Sequence, residues 1–361
     1  MSLLRLSGMV LAGALAFWGC TGDNITEVSF KDTDKPISDR VGPVSQYGKL
    51  LAGTVNGKGG IYGSCKGISA GNEVQVRGMS LYWSLIRPAL DYYSDEGISA
   101  MVRDMKIELV RAAVATKENW GGGVRGFIED PDGQRELIDA AVKSAVRNDI
   151  YVIIDWHSHT ATDQKEEAIA FFTEMAQKYG SYNHVIFEVF NEPTSHSWED
   201  IKAYAEDVIK AIRKYSDNLV LVGSPSWDQS PHLALGNEVE DPANNVAYTF
   251  HYYANSHSLI IQGKKADRAI NNGLPLFVSE WGTGAANGGG VPNVDRNDDW
   301  QEWMDSHKLS SANWSASRVN EGSAAFAQES GIDSLVFSTS GELVKSYLAK
   351  NPDSYTACKA K

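Results

Sequence analysis

The run Tyr151-Val-Ile-Ile-Asp-Trp156 is apolar on both of its alternating faces until an acid appears near its end. A strand with one wet face would alternate, so this one reads as a parallel strand covered on both sides. Working outward, comparable β-rich runs occur at Val74–Met79, Leu109–Val114, Val185–Phe190, Leu219–Val222, Val246–Tyr252, Leu276–Ser279 and Ser311–Trp314, eight strands in all. Between them, Glu136–Arg147, Lys165–Tyr179, Trp198–Tyr215 and Trp300–His307 repeat apolar residues at three- and four-residue spacing, the helical period. Eight strand–helix units over roughly 300 residues predict a single α/β domain, a (β/α)8 TIM barrel. The preceding segment Tyr47–Ile68 is expected to cap its bottom.

The flanks carry other signals. Residues 1–20 hold one cation, Arg5, then an apolar run from Leu6 to Trp18 and the pair Gly19-Cys20. That is the pattern of an export signal, too short to span a bilayer as a mature helix. Its end resembles a bacterial lipoprotein cleavage site, which makes Cys20 a lipidation candidate and the expected location the cell envelope or the exterior. Ordinary signal cleavage is the alternative. Residues 21–43 are polar and aperiodic, a linker, which leaves 44–361 for the barrel. In an oxidising compartment Cys65 and Cys358 either form a disulfide or stay as separate structural thiols. Of the 361 residues, Lys and Arg contribute 33 and Asp and Glu 46, a net charge of −13, which disfavours nucleic acid and anionic membrane as partners. Ten Trp and fifteen Tyr offer flat faces with a polar edge, suited to sugar rings as well as to cores.

In a barrel of this type the chemistry lies where the strands end at their carboxyl termini. Arg111 lies in the second strand, the third ends in Asp155-Trp156-His157, the fourth in Asn191-Glu192-Pro193, the sixth in His251-Tyr252-Tyr253, the seventh in Glu280-Trp281-Gly282 and the eighth in Trp314. Glu192 and Glu280 are therefore expected to face one another across the mouth. Two carboxyl groups in an aromatic cleft, one protonated and one ionised, can hydrolyse a glycosidic bond. Arg111 would keep Glu280 ionised, Tyr253 would orient it, Asn191 would grip a sugar 2-hydroxyl, and Trp83, Trp227 and Trp314 would stack on rings.

These residues resemble glycoside hydrolase family 5, over about Val44 to Leu348. The resemblance is carried by Ile186-Phe-Glu-Val-Phe-Asn-Glu-Pro193, Phe277-Val-Ser-Glu-Trp-Gly-Thr-Gly284 and Ser310-Ser-Ala-Asn-Trp-Ser315. His157, His251 and Tyr253 stand in matching order. Val76-Arg-Gly-Met-Ser-Leu-Tyr-Trp-Ser84 and Gly223-Ser-Pro-Ser-Trp-Asp-Gln229 are similar to the first and fifth strands of the bacterial endoglucanases of that family. The resemblance implies Glu192 as acid/base, Glu280 as nucleophile, and Arg111, His157, Asn191, His251, Tyr253 and Trp314 as the other site residues. It also implies a retaining endo-β-1,4-glucanase without cofactor. A monomer is expected, and action on soluble or amorphous β-glucan, since no separate carbohydrate-binding module follows Leu348. Two places depart from the family: Tyr82-Trp83 replaces a His found in some members, and Val319 stands near an expected Lys while Glu321 fits the pattern.

Other readings fit parts of the same pattern. Mannan, xyloglucan or mixed-linkage glucan would suit the same catalytic pair, and a silent glycan-binding surface barrel is the alternative of another class. His157-Ser158-His159 has metal-site spacing, but metal barrels place such a pair on the first strand and draw Asp ligands from later ones, so no metal is expected. Asp130-Pro-Asp-Gly-Gln-Arg-Glu136 reads as a turn opening a helix rather than as a calcium loop.

Overall fold

The computed structural model describes residues 38–117 and 123–359. The expected export signal and Cys20 lie outside the described residues. Strands β1 (Leu50–Val55) and β2 (Lys58–Gly63) form an antiparallel hairpin. The barrel follows with β3 (Arg77–Leu81), β4 (Leu109–Ala115), β5 (Tyr151–His157), β6 (Val185–Glu188), β7 (Val220–Val222), β8 (Val246–Tyr253), β9 (Leu276–Gly282) and β10 (Ser311–Ala316). All eight pair in parallel, and β10 closes onto β3. The (β/α)8 expectation holds.

Alternation along each strand separates two cores. Leu109, Tyr151, Ile153, Ile186, Leu221, Ala247, Phe277 and Ala312 pack inside the lower barrel. Val110, Val152, Ile154, Phe187 and Val220 belong to the cluster shared with the surrounding helices. The next inward positions above the apolar floor are Arg111 and Ala113 on β4, Asp155 and His157 on β5, Glu188 on β6 and His251 on β8. Period-two geometry thus sends the polar residues of these strands into the upper barrel.

The helix Pro131–Arg147 begins where Asp130 accepts the Gly133 N–H at 3.1 Å, with Pro131 in its first turn, so the Asp-rich stretch is a helix cap. The hairpin closes the bottom. Asn245 accepts the Ala52 N–H at 2.8 Å and donates to Leu50 O at 3.1 Å, and the Tyr151 hydroxyl donates to Gly48 O at 2.6 Å. Gly59 sits so close to Leu274 that a Cβ there would lie 2.0 Å from its carbonyl carbon.

Three boundaries differ from the sequence reading. The first barrel strand starts at Arg77 because Val74 spends its N–H on Ile61 O of the hairpin. The fourth strand ends at Glu188, so Glu192 lies on the segment beyond the ladder. That segment still runs beside β5, with Asn191 N–H on Trp156 O and Glu192 N–H on Ser158 O, both at 3.3 Å. The end of the expected linker is bound to the barrel: Asp39 donates to Arg147 O at 3.0 Å and Gly42 to Asp149 Oδ2 at 2.6 Å.

Cys65, just after the hairpin, is disulfide-bonded to Cys358, 293 residues away, with 6.0 Å between their Cα atoms. The tail is also tied by Cys358 N–H to Ser45 O at 2.8 Å and by Tyr355 to Glu108 at 2.9 Å. Closing so long a loop constrains the unfolded chain. A Cys65→Ser/Cys358→Ser variant is expected to lose about 2–5 kcal/mol in urea unfolding while keeping parental kcat, since the bond lies at the end opposite the cleft.

Candidate active site

Arg111 is fully buried and organises the upper barrel. Its Nε donates to Glu188 Oε2 at 2.6 Å, Nη1 to Glu280 Oε2 at 3.1 Å and to Ser80 Oγ at 3.3 Å, and Nη2 to Asn191 Oδ1 at 2.6 Å. Asp155 Oδ2 lies 2.9 Å from Nη2. Burial opposes the guanidinium charge, but Asp155, Glu188 and Glu280 outweigh it and raise the Arg111 pKa. Asn191 spends its carbonyl on Arg111, which leaves its amide donors for a ligand.

Glu280 occupies the inner end of β9, with Tyr253 donating to its Oε1 at 2.8 Å. Glu192 faces it. His251 Nδ1 lies 3.0 Å from Glu192 Oε1, and His159 Nε2 lies 3.3 Å from Oε2. One oxygen of each glutamate and one nitrogen of His251 all fall within 4.8 Å of one another. This is the one His/Cys/Asp/Glu grouping among the described residues tight enough to hold a cation. Its His and Glu atoms already meet at hydrogen-bonding distance.

Protonation follows from the partners. Ser279 Oγ donates to Glu188 Oε1 at 2.6 Å, so it accepts from His251 Nε2 at 2.9 Å, and that nitrogen carries a hydrogen. The second imidazole proton lies between His251 Nδ1 and Glu192. Burial opposes charge on both groups. Even so, hydrogen bonds from His159 and His251 hold Glu192 down at about 2, and Asp228 and the glutamates push His251 up. The low glutamate and the high histidine describe one shared proton resting on the imidazole. Burial and then the Glu192 charge raise Glu280, opposed by His251, Arg111 and Tyr253. When the shared proton moves to Glu192, the raising effect of the Glu192 charge vanishes together with the smaller lowering effect of the His251 charge. A neutral Glu192 and an ionised Glu280 therefore favour each other.

Aromatic walls enclose a cleft of about 310 Å³ lined by Tyr82, Trp83, His157, His159, Asn191, Glu192, Tyr253, Glu280, Trp314 and Glu321, with the Ala286–Gly288 loop. Trp314 stacks parallel to His157 at 5.4 Å between ring centroids, and Trp83 meets His157 edge-on at 4.1 Å. The Trp314–Ser315 peptide is cis. His157 is held neutral by burial and by Arg111, so its Nδ1 donates to Asp155 at 2.6 Å. The Tyr82 hydroxyl donates to Glu321, which burial raises against that hydrogen bond. Val319 packs against the Tyr82–Trp314 cluster. A larger hollow of about 630 Å³ lies at the opposite end, beside the disulfide. The glutamate pair and the aromatic walls make the smaller cleft the functional candidate.

The structure therefore gathers every sequence-chosen residue but one. Trp227 does not line the cleft: it is 49% exposed on the loop after β7, with its N–H on Pro193 O at 2.9 Å. Ser226, Trp227 and Asp228 all have left-handed φ, at 64°, 54° and 57°. That conformation costs non-glycine residues about 1–2 kcal/mol each. Sequence reasoning did not assign Asp155, Glu188, Asp228, Ser279, Tyr82 or His159 to the site. For Glu188 and Asp155 a usable signal existed, a carboxylate at an inward position of an otherwise apolar run. For Asp228 there was none.

The family model for cellulase (glycosyl hydrolase family 5) matches residues 68–320. The chain is 40% identical over 289 residues to endoglucanase Z of Dickeya dadantii, covering 79% of this chain and 65% of that one. It is 41% identical over 266 residues to endoglucanase A of Evansella cellulosilytica, of which it spans 51%. Among solved structures, the catalytic domain of endoglucanase Cel5A of Thermobifida fusca, in a single-substitution form with cellotetraose, is 30% identical with a TM-score of 0.70, covering 86% of this chain and all (100%) of that domain. The match spans two thirds of the chain, follows its barrel strands and includes both glutamates: the chain belongs to glycosyl hydrolase family 5.

Proposed function

We propose that this protein is an endo-β-1,4-glucanase that cleaves internal glucosidic bonds by double displacement, with retention of anomeric configuration. The observation that carries the mechanism is the approach of Glu192 and Glu280 oxygens to within 4.8 Å. Retaining glycosidases hold their carboxyl groups about 5–5.5 Å apart, whereas inverting ones leave about 6.5–9.5 Å for a water. Glu280 attacks the anomeric carbon, its charge held by Arg111 and Tyr253. Glu192 gives the proton it shares with His251 to the leaving oxygen, then takes one from the water that releases the glycosyl-enzyme. Asn191 donates to the 2-hydroxyl, and Trp83, Trp314 and Tyr82 form the apolar walls against the rings. The substrate class rests on the relatives named endoglucanase and on the cellotetraose complex of one neighbour. A neutral polysaccharide also suits a chain of net charge −13. The Cys65–Cys358 bond supports a place outside the cytoplasm, the exported location we propose.

Three measurements test this reading. Proton NMR of the first products from cellopentaose is expected to show the β-anomer; an initial α-anomer would remove Glu280 as nucleophile. Glu192→Ala is expected to lose about 10²–10⁴-fold on cellopentaose yet to retain turnover of 2,4-dinitrophenyl β-cellobioside, whose leaving group needs no proton, with azide restoring turnover further. Glu280→Ala is expected to lose both activities.

Tyr253→Phe removes a hydrogen bond that favours ionised Glu280, so the Glu280 pKa rises further. The acidic limb of kcat/KM is expected to move to higher pH by about half to one unit, with the basic limb unmoved. An unchanged acidic limb would show that Arg111 alone sets the charge of Glu280.

A further inference from the structure

Asp228 lies beneath the site with no exposed surface. Its Oδ1 accepts the Ser224 N–H. Its Oδ2 has no hydrogen-bond partner and lies 3.4 Å from His251 Nε2. The same imidazole reaches Glu192 through its other nitrogen at 3.0 Å. The two carboxyl groups therefore stand at opposite ends of one histidine. The turn that delivers Asp228 holds three successive residues in the left-handed region and is pinned by Asp228 N–H on Ser224 O at 3.1 Å. A buried acid with a free oxygen, brought there by strained backbone, indicates a role beyond packing.

We infer that Asp228 is a positioning residue of the acid/base: through His251 it sets how tightly Glu192 holds its proton. The inference rests on the assignment of Glu192 as proton donor. Four groups face His251. Glu192 and Asp228 come from the loops after β6 and β7, Ser279 Oγ from β9 at 2.9 Å, and Glu188 from β6 at 3.8 Å. His159 holds the far oxygen of Glu192, Glu280 lies within 4.8 Å, and Arg111 neutralises Glu188 and Glu280. His251 Nε2 keeps its hydrogen on Ser279 Oγ with Asp228 Oδ2 beside it, so the one movable proton of the Asp228–His251–Glu192 line is the one shared by Nδ1 and Glu192. Losing it leaves a neutral imidazole between two carboxylates. Burial pushes the Asp228 carboxyl up and the His251 charge pulls it down. Because the state reached on losing the proton has carboxylates at both ends of the imidazole, Asp228 disfavours that state and extends the proton-donating form to higher pH.

Asp228→Asn keeps the shape and the Ser224 contact and removes the charge. On cellopentaose kcat is expected to fall at least about tenfold with KM changed less than about twofold, and the basic limb of kcat/KM to move down by about one pH unit. On 2,4-dinitrophenyl β-cellobioside, which needs no proton from Glu192, the rate is expected to stay within about threefold. A purely structural residue would depress both substrates alike and leave the limb in place, and that result overturns the inference. Should the variant not fold, imidazole ¹⁵N NMR of the parent decides instead. His251 is expected to keep both ring protons well above the ordinary histidine pKa of about 6.5, and titration near that value overturns the inference. Glu192→Ala serves as the control. If it shows no leaving-group dependence, the assignment of Glu192 fails; if it does and Asp228→Asn does not, only the role of Asp228 fails.

Discussion

The constraint on which the upper barrel depends is that Asp155 and Glu188 are neighbours in register on β5 and β6, both buried, and cannot both be charged without a cation between them. Arg111 is that cation. Its planar fork reaches both, and also Glu280 and Asn191, so one side chain fixes the orientation of groups from four strands or strand ends. A lysine could neutralise one carboxylate but not span all of them. Five carboxyl groups meet here, with Glu192 and Asp228 joining the three that touch Arg111, so a single guanidinium leaves excess negative charge. The site answers by holding protons, on His251 and between it and Glu192. Retention of protons by a buried acidic cluster is what a general acid working near neutral pH requires.

Much of this was legible in the sequence, for a reason specific to the barrel. Parallel strands covered on both faces must be apolar along their length, so any polar residue near a carboxyl end stands out and points to the mouth. Arg111, His157, His251 and Glu280 were found that way. Strand ends were read less well. The apolar run Val185–Phe190 overshoots β6, because Val189, whose N–H still bonds Leu221 O at 3.0 Å, and Phe190 are buried just past the last paired residue and look like strand residues. Trp227 illustrates the limit from the other side. Its neighbours place it at the fifth strand end, yet the left-handed turn rotates it outward and sends Asp228 inward. Nothing in Ser-Pro-Ser-Trp-Asp-Gln marks that reversal, since none of the three left-handed residues is glycine or asparagine.

The two ends of the barrel have opposite characters, and each explains the other. At the bottom the hairpin, Asn245, the tail and the Cys65–Cys358 bond fasten the two ends of the described residues to the strand starts, with Tyr151, Leu109 and Phe277 packed above them. At the top the chain carries a left-handed turn, adjacent buried acids and a carboxyl oxygen without a partner, each of which would be relieved by local rearrangement. Rearrangement there would have to shift β6, β7 and β9. Those strands are hydrogen-bonded on both edges and share the apolar floor, so the lower barrel resists the movement. A closed barrel has no free edge to yield, which is why strain introduced at the mouth persists as a fixed arrangement of Glu192, Glu280 and His251.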